Sequence, residues 1–272
     1  MTDFYAVIGN PVAHSKSPWI HAEFSRQTGQ DMQYEAILAP VNAFPATVAV
    51  FRERGGKGMN VTVPFKLEAC KLAGRLTERA DAAQAVNTLV FNADGTLGAN
   101  TDGAGLVRDI MVNLGFSLTG KRVLLMGAGG AARGVVLPLL EHDPSILAIV
   151  NRTQQKAHAL QQQFSCYGTI VSGDYADILG EKFDLVINAT SASLKGELPP
   201  LSPGIFAAES LAYDMMYGDG YTPFLQFAKQ QGASRLADGI GMLVEQAAES
   251  FFLWRGVRPE TGPIIKMLKL HT

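Results

Sequence analysis

Short apolar runs alternate with amphipathic stretches of helical period along the whole chain, the pattern of α/β layering with a largely parallel sheet. Residues 4–9 are the first apolar run and predict a strand. Ser17-Pro18 then opens a helix, with Ser17 placed as its cap and Pro18 at its first position, and Gly29 closes it. A second strand is expected over residues 32–39, a helix over 41–54 ending at Gly55-Gly56, and a third strand over 58–61. Residues 88–91 and 97–100 flank Ala93-Asp94-Gly95 and predict a hairpin. Beyond Gly103 the alternation restarts: a helix over 104–114, a strand over 123–126, a glycine-rich turn over 127–132 and a helix to about His142. Further strands are expected over 146–150, 169–172, 185–188 and 211–214. The C-terminal end is helical. Residues 242–254 put Leu243, Gln246, Ala247, Ser250, Phe251 and Trp254 on one side of a helix.

Composition removes several classes of function. Among 272 residues, 47% are hydrophobic and 18% charged, a globular balance, and the formal net charge of −2 comes without any Lys/Arg-rich run. Neither a nucleic-acid footprint nor a polybasic membrane patch is present. Cys70 and Cys166 stand far apart, with no CxxC or Cys/His cluster, so neither a disulfide framework nor a metal site is expected. The opening residues form a strand pattern rather than a basic stretch followed by an apolar core, which argues against a secretory signal. No stretch is long and apolar enough to span a bilayer. A cytoplasmic protein is the expectation.

The first chemistry lies in the glycine-rich turn. Gly127-Ala128-Gly129-Gly130-Ala131-Ala132 matches G-x-G-x-x-A directly after an apolar strand and directly before a helix. Glycine there permits a tight turn and close backbone approach to a pyrophosphate, and Ala132 keeps strand and helix together. An NAD site usually carries Asp or Glu about 20 residues past the first glycine. Here the next strand ends in Asn151-Arg152-Thr153, with Lys156 following. No carboxylate would repel a ribose 2′-phosphate, while Arg152 and Lys156 bring positive charge and Asn151 and Thr153 bring hydrogen-bond donors. NADP is the expected cofactor.

Other polar clusters fall at expected strand ends: His14-Ser15-Lys16-Ser17-Pro18, the stretch from Asn60 through Lys66, Asn87, and Asn100-Thr101-Asp102-Gly103. Each alone has an ordinary explanation as a cap, a loop residue or a solvated lysine. Together they resemble one family. Ile8-Gly9-Asn10-Pro11-Val12-Ala13-His14-Ser15-Lys16-Ser17-Pro18 looks like the opening signature of the shikimate dehydrogenases. The same family shows Asn60-x-Thr62-x-Pro64-x-Lys66, Ala85-Val86-Asn87-Thr88, Asn100-Thr101-Asp102-Gly103, Asn151-Arg152-Thr153, Asn188-Ala189-Thr190-Ser191, Tyr213-Asp214-Met215-x-Tyr217 and Asp238-Gly239-x-Gly241-Met242. The resemblance runs through essentially the whole chain in the family's order.

That resemblance implies an enzyme interconverting 3-dehydroshikimate and shikimate with NADP, in aromatic amino-acid biosynthesis. It implies that Ser15 and Ser17 hold the substrate carboxylate with Tyr217 nearby, and that Thr62, Asn87, Asp102 and Gln246 meet the ring hydroxyls. Lys66 is then the catalytic residue, held by Asp102. Gly127, Ala128, Gly129, Gly130 and Ala131 would bind the pyrophosphate, and Met215 and Gly239 would border the nicotinamide. Chemistry supports the lysine independently, because reducing a ketone needs hydride and a proton for the developing alkoxide, and an ammonium supplies the proton. Gln246 has a competing reading as a structural amide bonding a backbone carbonyl.

The implied fold is α/β: an N-terminal substrate domain over residues 1–102, a Rossmann-like doubly wound NADP-binding domain over 103–239, and helices over 240–272 returning to the first domain. A small-molecule substrate is the expected partner, with no nucleic acid and no membrane, in a monomer or homodimer. Two alternatives stay open: a shikimate/quinate dehydrogenase of broader range, and a non-catalytic dinucleotide-binding regulator.

Overall fold

The computed structural model describes residues 2–193 and 196–270. Met1, Leu194, Lys195, His271 and Thr272, which fall within the expected domain ranges, lie outside the described residues. The chain divides into two units, one comprising the chain up to Gly105 with Leu243–Met267, the other Leu106–Met242 with the chain from Leu268.

In the first unit, strand β1 (Asp3–Gly9) is buried from Tyr5 through Gly9 and lies beside β2 (Met32–Leu38) and β3 (Gly56–Val61), parallel to both. Helices α1 (Ser17–Thr28) and α2 (Phe44–Glu53) make the two crossovers. The order continues through α3 (Lys66–Leu72), β4 (Arg75–Leu76), α4 (Glu78–Ala83), β5 (Thr88–Asn92), β6 (Gly95–Ala99) and α5 (Asp102–Arg108). The sheet runs β2-β1-β3-β5-β6-β4. It is mixed, because β5 is antiparallel to both β3 and β6. Ile8, Phe44, Met59, Phe65 and Leu89 form part of its core.

Two local expectations are corrected. The cap of α1 is Lys16, without a side-chain cap bond, and Ser17 is the first helical residue. The hydroxyl serving this helix start is that of Ser15, which accepts from the Ser17 N–H at 3.3 Å. The helix expected over 104–114 is not uniform: α5 gives way to a π-helical turn over Asp109–Asn113.

The second unit contains β7 (Arg122–Met126), α6 (Gly130–Leu140), β8 (Ile146–Val150), α7 (Gln154–Phe164), β9 (Ile170–Gly173), β10 (Phe183–Asn188), β11 (Phe206–Asp214), α8 (Pro223–Gln230) and β12 (Arg235–Ala237). Its sheet is parallel throughout, in the order β12-β11-β10-β7-β8-β9. Counted within the unit this is 6-5-4-1-2-3, the doubly wound dinucleotide-binding order, with its switch point between β7 and β10.

Helix α9 (Ile240–Arg255) supplies the first unit with an apolar stripe from far along the sequence, and α10 (Gly262–Leu270) follows it. Phe251 is fully buried. The Trp254 indole N–H donates to the Leu89 carbonyl at 3.0 Å and its ring stacks on Tyr5 with centroids 4.7 Å apart. Among the described residues, no helix is long and apolar enough to cross a membrane.

Candidate active site and dinucleotide site

In a sheet of this kind, ligands gather at the carboxyl ends of the strands. Lys66 opens α3 shortly after β3, Asn87 precedes β5, and Asp102 opens α5 after β6. Backbone bonds hold these segments together: the Val86 N–H donates to the Lys66 carbonyl at 2.9 Å, and the Asn87 N–H to the Ala99 carbonyl at 3.0 Å. The side chains then converge. Lys66 Nζ donates to Asp102 Oδ2 at 2.5 Å, and Asn87 Nδ2 donates to Asp102 Oδ1 at 2.8 Å. The lysine side chain keeps 21% of its surface exposed and the aspartate 10%, so the couple is shielded yet reachable.

Gln246 comes to this cluster from α9. A Cβ on Gly105 would fall 2.6 Å from the Gln246 backbone nitrogen, so only glycine lets α5 and α9 cross this closely. The Gln246 Oε1 accepts from Asn87 Nδ2 at 3.3 Å and Thr101 Oγ1 at 3.4 Å, while Nε2 donates to the Leu243 carbonyl at 2.9 Å. The structural reading of this glutamine holds, with its amide nitrogen bonded to backbone, and its oxygen faces the polar cluster.

Thr62 sits half-buried after β3, and Ser15 is half-buried beside the buried Ser17 after β1. These two loops are joined by the Asn10 N–H donating to the Val63 carbonyl at 3.0 Å. A Cβ on Gly9 would lie 2.4 Å from Thr62 Cγ2, so the approach depends on glycine. Tyr217 belongs to the second unit, past the end of β11, half-buried, with its phenol pushed up by burial.

The glycine-rich turn follows β7. Gly127 has φ +107°, a backbone state that side chains disfavour, and Cβ atoms on Gly129 and Gly130 would meet nothing within 4 Å. Ala128 is buried, Gly129 and Gly130 are exposed, and Ala132 is fully buried against the sheet. The turn thus presents an open cradle of backbone at the start of α6, fitted to a pyrophosphate. Arg152, Thr153 and Lys156 are exposed or nearly so beyond β8, and Thr153 begins α7 without spending its hydroxyl on a cap bond. Asn151 is half-buried and its Nδ2 donates to the Thr153 carbonyl at 2.9 Å, which orders this loop. These residues suit a 2′-phosphate. Met215 is buried, and a Cβ on Gly239 would lie 2.3 Å from the Met215 carbonyl oxygen, so the loops after β11 and β12 run in contact.

Two buried polar groups went unassigned from sequence. Asp214, fully buried, accepts from Asn188 Nδ2 (3.2 Å), the Met216 N–H (3.0 Å), Ser193 Oγ (2.7 Å) and Thr222 Oγ1 (2.6 Å), tying together the segments after β10 and β11. In the first unit, Asn60, Thr88 and Ser250 form a second network beneath Asn87. Polar residues within otherwise apolar strands and helices were the available signal.

Three family models match in sequence order. "Shikimate dehydrogenase substrate binding domain" matches residues 7–89, "Shikimate / quinate 5-dehydrogenase" residues 110–195, and "Shikimate 5'-dehydrogenase C-terminal domain" residues 239–269. The NADP(+) shikimate dehydrogenase of Nitrosospira multiformis is 72% identical over 99% of this chain and 98% of its own length. Among solved structures, an Ael1 enzyme from Pseudomonas putida is 51% identical with TM-score 0.93, covering 98% of each chain. Shikimate 5-dehydrogenase from Thermus thermophilus, solved with NADP(H) and shikimate, is 31% identical with TM-score 0.88, covering 100% of both chains.

Proposed function

The chain belongs to the shikimate dehydrogenase family, and from that premise we propose how its residues divide the reaction. It is an NADP-dependent oxidoreductase acting on a CH–OH group, interconverting 3-dehydroshikimate and shikimate. The Lys66–Asp102 couple is the catalytic pair, and its 2.5 Å contact inside a shielded polar cluster is the observation that carries this reading. In the reducing direction the Lys66 ammonium stabilises charge on the carbonyl oxygen and then gives it a proton. In the oxidising direction Lys66 takes that proton back. Asp102 aims the ammonium and accepts from a substrate hydroxyl, and Asn87 fixes the carboxylate plane. Thr62 and Gln246 supply further polar atoms for ring hydroxyls, and Ser15 and Ser17 bind the carboxylate.

NADPH, when bound, supplies the hydride. Gly127, Ala128, Gly129, Gly130 and Ala131 would hold its pyrophosphate. Arg152 and Lys156 would pair with its 2′-phosphate, with Asn151 and Thr153 beside them, and Met215 and Gly239 would shape the nicotinamide end. A site whose buried polar groups need a substrate hydroxyl rejects analogues lacking it by a factor on the order of 10⁴. A cytoplasmic location and a monomeric or homodimeric state complete the reading, the latter checked by light scattering.

Steady-state kinetics on shikimate and quinate, each with NADP and NAD, test the reading. Shikimate with NADP is expected to give the highest kcat/KM. A preference for quinate with NAD would overturn it in favour of the broader shikimate/quinate enzyme.

A further inference from the structure

Beneath the catalytic couple, the first unit carries a chain of side-chain hydrogen bonds whose direction is fixed at its far end. Tyr34, on β2, donates its hydroxyl proton to Asn60 Oδ1 at 2.7 Å. Burial pushes the Tyr34 phenol well above its ordinary value, so the group stays a protonated donor. The two ends of an asparagine amide differ in that one accepts and the other donates, so a partner fixes which way it faces. With Oδ1 held by Tyr34, Asn60 Nδ2 points inward, donating to Ser250 Oγ at 2.9 Å and Thr88 Oγ1 at 3.1 Å.

Each hydroxyl has one proton to give. Ser250 shares its proton between the Gln246 carbonyl at 3.0 Å and Thr88 Oγ1 at 2.8 Å, and Thr88 gives its own to Asn87 Oδ1 at 3.0 Å. Asn87 Oδ1 also takes the Thr101 N–H at 2.8 Å, which leaves Asn87 Nδ2 as the donor facing Asp102 Oδ1. With Thr88 and Ser250 both accepting from Asn60, the Thr88 proton is left for Asn87 Oδ1. If Asn60 turned over, Thr88 would be drawn to donate to it, and Asn87 would lose one of the bonds that orient it.

We propose that Tyr34 is a positioning residue for the reaction: its hydroxyl sets the donor–acceptor sense of Asn60, and through Thr88 and Asn87 it holds the carboxylate of Asp102 in place for Lys66. The proposal rests on the assignment of Lys66 and Asp102 as the catalytic pair. Tyr34 is separated from Asp102 by three intervening side chains and acts on it by orientation; its hydroxyl also bonds the Ser17 side chain, and a loss passing through Ser17 would show in the KM for shikimate rather than in kcat.

Tyr34→Phe tests it in the full-length enzyme, because phenylalanine keeps the ring that stacks on His21, with centroids 4.2 Å apart, and removes only the hydroxyl. The expected result is a kcat about tenfold lower with shikimate, with the KM for NADP and the melting temperature near wild type. Thr88→Val should show a similar loss, and the double variant Tyr34→Phe/Thr88→Val should be no worse than the more severe single one. Asn60→Asp, which keeps the acceptor for Tyr34 and abolishes the inward donors, provides a second route to the same loss should Tyr34→Phe fold poorly. Wild-type kcat in Tyr34→Phe, additive losses in the double variant, or an equal rise in the KM for NADP would overturn the proposal. Lys66→Ala, run alongside, separates the two claims: if it retains turnover, the catalytic assignment fails, whereas its inactivity with a normal Tyr34→Phe removes the relay alone.

Discussion

Arg152 stands exposed just past β8, on a strand end that carries no carboxylate. Arg152→Ala should weaken NADPH binding roughly tenfold, the scale of one charge-assisted hydrogen bond at an exposed site, and leave NADH binding nearly unchanged. Equal losses for both cofactors, measured by fluorescence titration, would remove the 2′-phosphate argument. His21 makes a different residue-scale prediction. Burial among Phe24, Tyr34, Phe251 and Trp254 lowers its pKa to about 3 from an ordinary 6.5. As pH falls below 6.5 the unfolded chain takes up the proton first, so this contribution to stability is complete above 6.5 and is lost toward 3. The slope from this one group is about 1.4 kcal/mol per pH unit. Denaturant melts across that window should show the acid limb, and His21→Phe should flatten it. A limb of the same slope in that variant would assign it to other groups.

At the scale of elements, the crossings that assemble the site depend on bare backbone. Gly105→Ala would place a methyl group 2.6 Å from the Gln246 nitrogen, forcing α5 and α9 apart. A cost of about 1–3 kcal/mol in stability is expected, together with a raised KM for shikimate, since Gln246 and Thr101 move together. Unchanged stability in urea melts would contradict the packing argument. This contact shows where legibility ended. The periodicity of α9 placed Gln246 and Ser250 on one side from sequence alone, and the glycine-rich turn after β7 announced α6. The glycine at 105 gave no such signal, because its partner lies far along the chain. The serine at 17 misled for a local reason: Ser15, two residues earlier, provides the hydroxyl at that helix start. Asp214 could be read only as a polar strand end, since its side-chain donors Asn188, Ser193 and Thr222 are brought to it by the fold.

For the whole molecule, the parallel α/β character of the second unit followed from the alternation of elements and the position of the glycine-rich turn, while its strand order emerged only in the structure. The mixed sheet of the first was legible only in its hairpin. The first unit also takes structure from the chain's far end: Ser250 bonds Asn60, and Trp254 closes over Leu89. A fragment ending at residue 105 therefore lacks both a core element and part of the polar network, and circular dichroism should find it without a cooperative melt. A fully folded fragment would show that α9 is dispensable. The catalytic reading is tested most directly by the turnover of Lys66→Ala with NADPH and 3-dehydroshikimate, with NADPH binding measured on the same preparation. A fall in kcat of about 10²–10⁴ is expected, the range for losing a positioned general acid, with NADPH affinity near wild type. Wild-type turnover in that variant would contradict the account.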